Sequence, residues 1–529
     1  MALPTSSSLM RFRGPLADSY PAAVALVVFA LIPYLALTAA IDPLLPILSK
    51  SLPLSRQALE LTNGMANAAY AFGTVMAVQF AVHRPGRRML LLYATLFVVG
   101  SVLAALAFTP GFFIAGHVLQ GLTTSLMLIA AVPPLVIGWP TSKMPWTGFV
   151  MNLCIFGAVA LGPVIGGIQA GAGAWRPLFW IVAGFGGLAL LFALLTFEDQ
   201  GPQDPDAPRD LVALVLAGGG AAAAFFGASE LLTHRMLDVI VIVPLVVGVA
   251  MIVALVAYEY RAEEPLMPVR QAATTFPVAG ITVAMCAGAA SVGVITLVQT
   301  AFQDKTSPTH LAMLFWPEFG AAVASAVLFG MLFRTRFVPL LALAGMAMLA
   351  GGGAVLSGVA HGPEALVVIG SGLVGLGVGA SVSPALFITG FSLRSAQIQR
   401  VFALVELLRG VAAFLAAPLL LHLAMTVSDK PPDGIGTAIW VCVGIAVAAG
   451  AFAVLVGILG RARLQRPDLE RWENGEEPAW DSPPLGARFR EAGSLPAEQT
   501  GRGHAAADRP RGEHEQRLDA RRVSEERGV

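Results

Sequence analysis

Five ionisable side chains sit inside long apolar stretches, and these are the positions where the chain could do chemistry: Asp42, His117, Glu318, Glu406 and Arg409. A charge held in hydrocarbon is unfavourable by about 3 kcal/mol or more unless it is paired or faces water. Glu406 and Arg409 stand three residues apart, on one face of a helix, and so neutralise each other. Protonation of Glu406, or arrival of a substrate, would break that pair and couple the two events. Glu318 follows Trp316-Pro317 and has no basic neighbour in sequence, so it either lines a cavity or joins a salt bridge from a distant segment. Asp42 precedes Pro43, which suits a broken helix at a cavity mouth or a helix end at the membrane interface. Burial disfavours a charged carboxyl, so a buried acid can take up and release protons near neutral pH. His117 offers the same service because imidazole titrates near neutrality, although packing between helices is the commoner fate of such a residue. Asn63, Asn67, Tyr70, Gln120 and Gln299 are uncharged polar groups that suit cavity contacts or bonds between helices.

What must position these residues is a set of membrane-spanning helices. The chain has 529 residues, 56% hydrophobic and 12% charged, with a mean hydropathy of +0.74. A soluble globular chain carries about 25% charged residues. Apolar runs long enough to cross ~30 Å of hydrocarbon recur along the sequence. Fourteen spans are expected at 22–46, 60–82, 88–108, 111–138, 147–170, 177–197, 210–228, 238–258, 274–300, 309–332, 338–359, 364–390, 399–425 and 435–460. Lys and Arg divide sixteen to six between alternate connections, and the positive-inside rule then puts both termini in the cytoplasm.

Span 5 contains Leu161-Gly-Pro-Val-Ile-Gly-Gly167. Pro163 removes a backbone hydrogen bond that neighbours can re-satisfy in a membrane, while Gly162 and Gly166 leave a bare face for close packing. After span 2 comes a tight basic turn, Gln79-Phe-Ala-Val-His-Arg-Pro-Gly-Arg-Arg-Met89, which holds His83, Arg84, Gly86, Arg87 and Arg88. Arg334 and Arg336 after span 10 take the same ordinal place in a second set of six, a faint internal repeat of the kind seen in duplicated transporter bundles. With Gln120-Gly121 in span 4, Gly167 closing the span 5 motif, Trp175-Arg176 and Glu264-Pro-Leu-Met-Pro-Val-Arg270, this order resembles the fourteen-helix drug/proton antiporter group of the major facilitator superfamily. The resemblance covers spans 1–9 by motif and the rest by layout.

The resemblance implies an all-α polytopic membrane protein with two six-helix bundles rocking about a central site and two inserted helices. The expected parts are a lead at 1–21, a bundle at 22–197, linkers and inserted spans 7 and 8 at 198–270, and a second bundle at 271–460. The charged, apolar-poor stretch 461–529 reads as a disordered cytoplasmic tail, because it cannot bury enough surface to offset ordering entropy. Export of hydrophobic or amphiphilic small molecules in exchange for protons is the implied activity. Three departures from the group keep open an uncoupled facilitator or importer. Gln79 and His83 stand where the loop usually has Gly and an acid, His117 matches a helix-four arginine, and Leu37 matches a first-helix acid.

The eight histidines are scattered, and no HExxH, GxSxG or GxxxxGK[ST] sequence is present, which argues against a membrane enzyme or an ATP-driven pump. Cys154, Cys286 and Cys442 lie in apolar runs without CxxC spacing and read as small apolar side chains. Zero net charge gives no reason to expect nucleic acid. The expected partners are a small-molecule substrate, protons and the lipid bilayer of the cell membrane, with no cofactor and with the chain acting as a monomer. A membrane sensor of the same fold that moves no substrate is the remaining alternative, and it would need a functional tail.

Overall fold

The computed structural model describes residues 14–198, 204, 207–303, 305–359, 361–428, 431–475 and 477–488. Fourteen helices in it are long and apolar enough to cross a membrane. In chain order, spans 1–7 are Tyr20–Ser51, Gln57–His83, Gly86–Ala105, Pro110–Ile137, Thr141–Gly171, Arg176–Thr196 and Leu211–Leu232. Spans 8–14 are Val239–Arg261, Thr275–Phe302, Pro308–Leu332, Val338–Ser357, Ala365–Phe391, Ser395–Thr426 and Asp433–Leu459. Each closes its own backbone hydrogen bonds, which a segment in hydrocarbon must do.

The helices pack in a pattern that occurs twice. Span 1 lies against spans 4, 5 and 6, span 2 against span 4, and span 3 against spans 4 and 6. Adding eight to each number gives the second set: span 9 against 12, 13 and 14, span 10 against 12, and span 11 against 12 and 14. Spans 7 and 8 pack on each other, and span 7 also lies against spans 2 and 13. Successive connections alternate between two ends of this assembly. One end carries Arg84, Arg87, Arg88, Arg209, Arg270, Arg334, Arg336 and Arg394, and is called the arginine-rich end below.

Glycines set the closest approaches. A methyl on Gly162 would stand 2.5 Å from Ala39 Cβ, and one on Gly166 would stand 2.5 Å from the Ala40 carbonyl oxygen. The bare face of the span 5 motif is therefore filled by span 1. Gly167 faces the other set of six instead, where a methyl would lie 2.7 Å from the Pro308 oxygen and Ala312 Cβ of span 10. Pro163 is accommodated inside the helix, while five residues, Leu153–Gly157, wind as a π-turn in the middle of the same span. Such bulges collect at functional sites.

Two sequence expectations are corrected. Span 1 runs unbroken through Pro33, Pro43 and Pro46. Asp42 is thus placed on a continuous helix, the prolines being tolerated because span 1 is packed by spans 4, 5 and 6 along its length. The second correction concerns 461–529. Residues up to Leu485 belong to the compact helical unit, with Trp472 and Trp480 buried, because two large aromatic side chains supply the apolar area that the surrounding composition lacks. Of the separate unit Gly486–Val529, all beyond 488 lies outside the described residues, as do 1–13 of the lead.

Candidate functional site

A cavity of about 190 Å³ lies between the two sets of six. Its walls are mostly apolar, with Leu35 of span 1, Ile155 and Phe156 of the π-turn, Val292 of span 9 and Phe414 of span 13. Span 7 adds Phe225, Ala228, Ser229 and Leu232, so one of the two inserted helices forms part of the wall. Sequence reasoning placed spans 7 and 8 outside the repeat and missed this. The cavity extends away from the arginine-rich end, toward Asp42, Leu45, Glu60, Thr300 and Gln303. A neighbouring pocket of about 250 Å³ shares Pro43, Pro163, Gln299, Gln303 and Leu311 with it.

The wall also carries amides, hydroxyls, three carboxyl groups and one guanidinium. Asn63, Asn67, Gln299, Asp42, Glu318 and Arg409 all line the cavity. Among the described residues, Asn63 Oδ1, Gln299 Oε1 and Glu318 Oε2 are buried with no hydrogen-bond partner. Glu318 is 4% exposed and opens the second piece of span 10, where its backbone is pressed against Gly375 of span 12. A buried acceptor without a donor is unfavourable by about 1–3 kcal/mol, more if charged, so these atoms are poised for a ligand donor or a proton. Asp42 Oδ2 receives a long hydrogen bond, 3.5 Å, from Thr296 Oγ1 of span 9.

At the inner edge of the cavity Arg409 pairs with Glu406, donating from Nη2 to Oε2 and from Nε to Oε1 at 3.3 Å. This is the pairing expected from their spacing. The structure adds two partners from the first set of six that spacing could not show. Tyr70 of span 2 donates its hydroxyl to Glu406 Oε2 at 3.3 Å, and the Arg409 guanidinium lies 5.8 Å from the Phe156 ring centre. The ion pair therefore bridges the two halves. Tyr70 stacks at 6.2 Å on Tyr34, whose hydroxyl reaches Asn67 Oδ1 at 3.5 Å.

His117 and Gln120 are elsewhere. Neither lines the cavity. Gln120 Oε1 is 3.1 Å from His117 Nδ1, and Gln120 Nε2 donates to Ser101 Oγ of span 3 at 3.0 Å. The histidine ring is fully buried between Tyr34 and Phe113, with Nε2 unpartnered among the described residues. Packing of spans 3 and 4 accounts for both residues. One residue that joins the halves had no sequence signal beyond being a lone amide: Asn152, whose Nδ2 donates to the Gly379 carbonyl at 2.9 Å. Gln399 of span 13 likewise reaches the Ile129 carbonyl of span 4 at 3.0 Å. Both bonds close the halves below the cavity, on its arginine-rich side.

The basic turn after span 2 has a different use. His83 Nε2 is 2.8 Å from the Ala207 carbonyl, Gln79 Oε1 accepts from the Asp210 amide at 3.0 Å, and the Asp204 amide donates to Val82 O at 3.0 Å. Gln79 and His83, the loop departure noted above, hold the segment that leads into span 7. Gly86 begins span 3 next to Arg87 and Arg88. In the Trp175-Arg176 motif, Arg176 donates to Ala107 O at 2.8 Å while its guanidinium lies 4.5 Å from the Trp175 ring centre, tying the span 5–6 turn to span 3.

Twice-repeated six-helix packing around a central cavity is matched by the sequence profile described as Major Facilitator Superfamily, which aligns with residues 27–417. The chain belongs to this superfamily. Among curated relatives, a "Multidrug resistance protein B homolog" of Mycobacterium tuberculosis (strain ATCC 25618 / H37Rv) is 26% identical over 60% of this chain and 61% of its own. "Drug efflux pump JefA" of the same species is 23% identical over 71% and 77%. An uncharacterised transporter of the superfamily, YubD of Bacillus subtilis (strain 168), is 26% identical over 45% and 47%. The chain thus spans about half to three fifths of the length of the first of these relatives it matches. Among solved structures, a POT family transporter in complex with a thioalcohol-conjugated peptide superposes with a TM-score of 0.59 at 13% identity, covering 83% of this chain and 96% of that one. A human organic anion transporter gives 0.59 at 12% identity, with 82% and 99% covered. These likenesses establish the fold: a multi-pass, all-helical membrane protein of the superfamily with fourteen candidate spans. The superfamily and these relatives are transporters, not enzymes.

Proposed function

We propose that this chain exports hydrophobic or amphiphilic small molecules across the cell membrane by alternating access, in exchange for protons. The observation that carries the reading is the pair of embedded acids lining one cavity, Asp42 and Glu318, the latter with an unpartnered oxygen, beside Arg409, which pairs with the buried Glu406 that also accepts from Tyr70 of the other half. A proton placed on Glu406 would remove the charge that Arg409 and Tyr70 both address, freeing span 2 from span 13. A substrate donor entering beside Glu318 would compete with a proton for the same oxygen. The apolar walls suit a ligand without many polar groups. The names of the relatives, drug efflux and multidrug resistance proteins, agree with export. The arginine-rich end is placed in the cytoplasm by the positive-inside rule, with both termini on that side.

A second reading, a facilitator or importer without proton coupling, is favoured by Leu37. This residue is fully buried and apolar where the resembled group has a first-helix acid. The two readings separate in cells lacking other pumps that express the chain and are loaded with fluorescent lipophilic compounds. Efflux abolished by a protonophore supports proton exchange; efflux indifferent to it supports the facilitator.

A further inference from the structure

The stretch 462–485, described apart from residue 476, is built into the arginine-rich end in a way that transport through the central cavity does not require. After span 14 the chain turns at Arg461, whose φ of 55° lies in the left-handed region that side chains seldom adopt. It continues to a short helix, Leu469–Glu473, capped by Asp468 accepting from the Arg471 amide at 3.2 Å, and turns again at Gly475 with φ 75°.

Both attachments of this stretch to the second set of six use helix ends that would otherwise lack partners. At the end of span 12, the Phe391 carbonyl accepts from the Ala479 amide at 2.8 Å and the Trp480 amide at 3.3 Å, and Leu393 O accepts from Trp472 Nε1 at 2.8 Å. The Trp472 and Trp480 rings lie 4.3 and 5.9 Å from the Phe391 ring centre. At the start of span 9, the Thr275 amide donates to Pro483 O at 3.0 Å and the Phe276 amide donates to Ser482 Oγ at 3.0 Å. Toward the first set of six, the contact seen among the described residues is packing: the short helix rests against Thr141–Lys143, the turn that begins span 5. That turn is fixed to its own half, with the Lys143 ammonium 5.5 Å from the Tyr20 ring centre and Tyr20 Oη 3.1 Å from Thr147 Oγ1.

We propose that 462–485 is a strap, permanently fastened to the second half and releasably seated on the first, that holds the arginine-rich end closed and so sets the balance between the two access states. Among the described residues, hydrogen bonds to helix termini on one side and packing on the other are the asymmetry such a device needs. Any movement of the halves that opens this end has to lift Leu469–Glu473 off Thr141–Lys143. The strap adds to the Asn152 and Gln399 bonds, which close the same end from inside.

The test uses the full chain, cysteine-free except for Arg88→Cys and Arg336→Cys, exposed sites on the two halves at the arginine-rich end, carrying spin labels for distance measurement. Trp472→Ala with Trp480→Ala raises the ratio of long to short distances by roughly 5- to 150-fold, the usual range of a coupling between two sites. An unchanged distribution in a variant of normal helix content overturns the proposal. A second form does not depend on the tryptophans. Ser142→Cys and Glu470→Cys, as the two cysteines of a chain whose positions 88 and 336 carry labels on non-thiol unnatural side chains, are joined by a short bismaleimide; the cross-link forms readily at rest and fixes the 88–336 labels at the short distance. A pair that fails to join, or a joined protein whose labels still sample long distances, contradicts the strap. Because both readouts are distances, a strap that behaves as stated while no compound is exported leaves this inference standing and removes the proposed function instead.

Discussion

Replacing Glu406 by Gln tests whether the buried ion pair is a balanced unit. Arg409 is 6% exposed and Glu406 1%, so Glu406 is sealed from water and Arg409 meets it only through the cavity it lines. In Glu406→Gln the guanidinium keeps at most one neutral acceptor in place of a carboxylate that met both Nε and Nη2. Removing one partner of a buried pair is destabilising by about 3–5 kcal/mol, whereas replacing both by uncharged groups is often close to neutral. The Phe156 ring, 5.8 Å from the guanidinium, is present with and without the carboxylate, so its contribution cancels in the comparison. The expected loss for the single variant is therefore about 3–5 kcal/mol, with most of it recovered in Glu406→Gln/Arg409→Gln. The assay is the thermal midpoint of detergent-purified protein for wild type, both single variants and the double. Tyr70→Phe adds an internal check, as it removes a hydrogen bond to a charged acceptor worth about 1.5–3 kcal/mol and leaves the pair itself in place. Equal destabilisation of the single Glu406 variant and the double would refute the reasoning, because it would show that Arg409 does not depend on Glu406 for its burial.

Gly166→Ala puts a methyl 2.5–3.0 Å from the Ala40 backbone and should lower stability by about 1–3 kcal/mol through overpacking of spans 1 and 5, read as a drop in thermal midpoint with membrane insertion retained. Gly166→Leu goes further and should abolish transport; wild-type transport in that variant would remove the span 5 motif from the mechanism. Asn152→Ala loses the 2.9 Å bond to Gly379 O and should raise maleimide labelling of Cys154, two residues away, by about fivefold for a bond worth ~1 kcal/mol, measured with Cys286 and Cys442 replaced by Ser. Unchanged labelling would mean that this bond does not hold the halves together.

The spans were legible because a helix crossing hydrocarbon announces itself by length and composition alone. The largest boundary difference is six residues, at the start of span 5, where 147 was expected and Thr141 is found. Pairings within one helix were equally legible, as Glu406–Arg409 shows. What could not be read were partners far apart in the chain. Tyr70 and Glu406 are 336 residues apart, Asn152 and Gly379 are 227 apart, and a single sequence carries no record of either meeting. His117 stayed open between packing and proton handling for the same reason, since its Gln120 and Ser101 neighbours only became a network once spans 3 and 4 were side by side. The strap was hidden by averaging. Composition over 461–529 is polar, yet Trp472 and Trp480 bury completely because Phe391 and two helix ends were waiting for them. Span 7 was read as an insert beside the repeat, and its place in the cavity wall depends on packing against spans 2 and 13 that no periodicity encodes.

The central claim is that an acid on this cavity exchanges a proton for substrate, and Glu318 is the most direct place to ask. The measurement is substrate-induced proton movement in proteoliposomes, recorded with a trapped pH dye, for the wild type and for Glu318→Gln. The account predicts that the wild type moves protons against a transported lipophilic compound, while Glu318→Gln binds that compound and moves none. Substrate transport by the wild type without any proton signal, or an unaltered signal in Glu318→Gln, would contradict it.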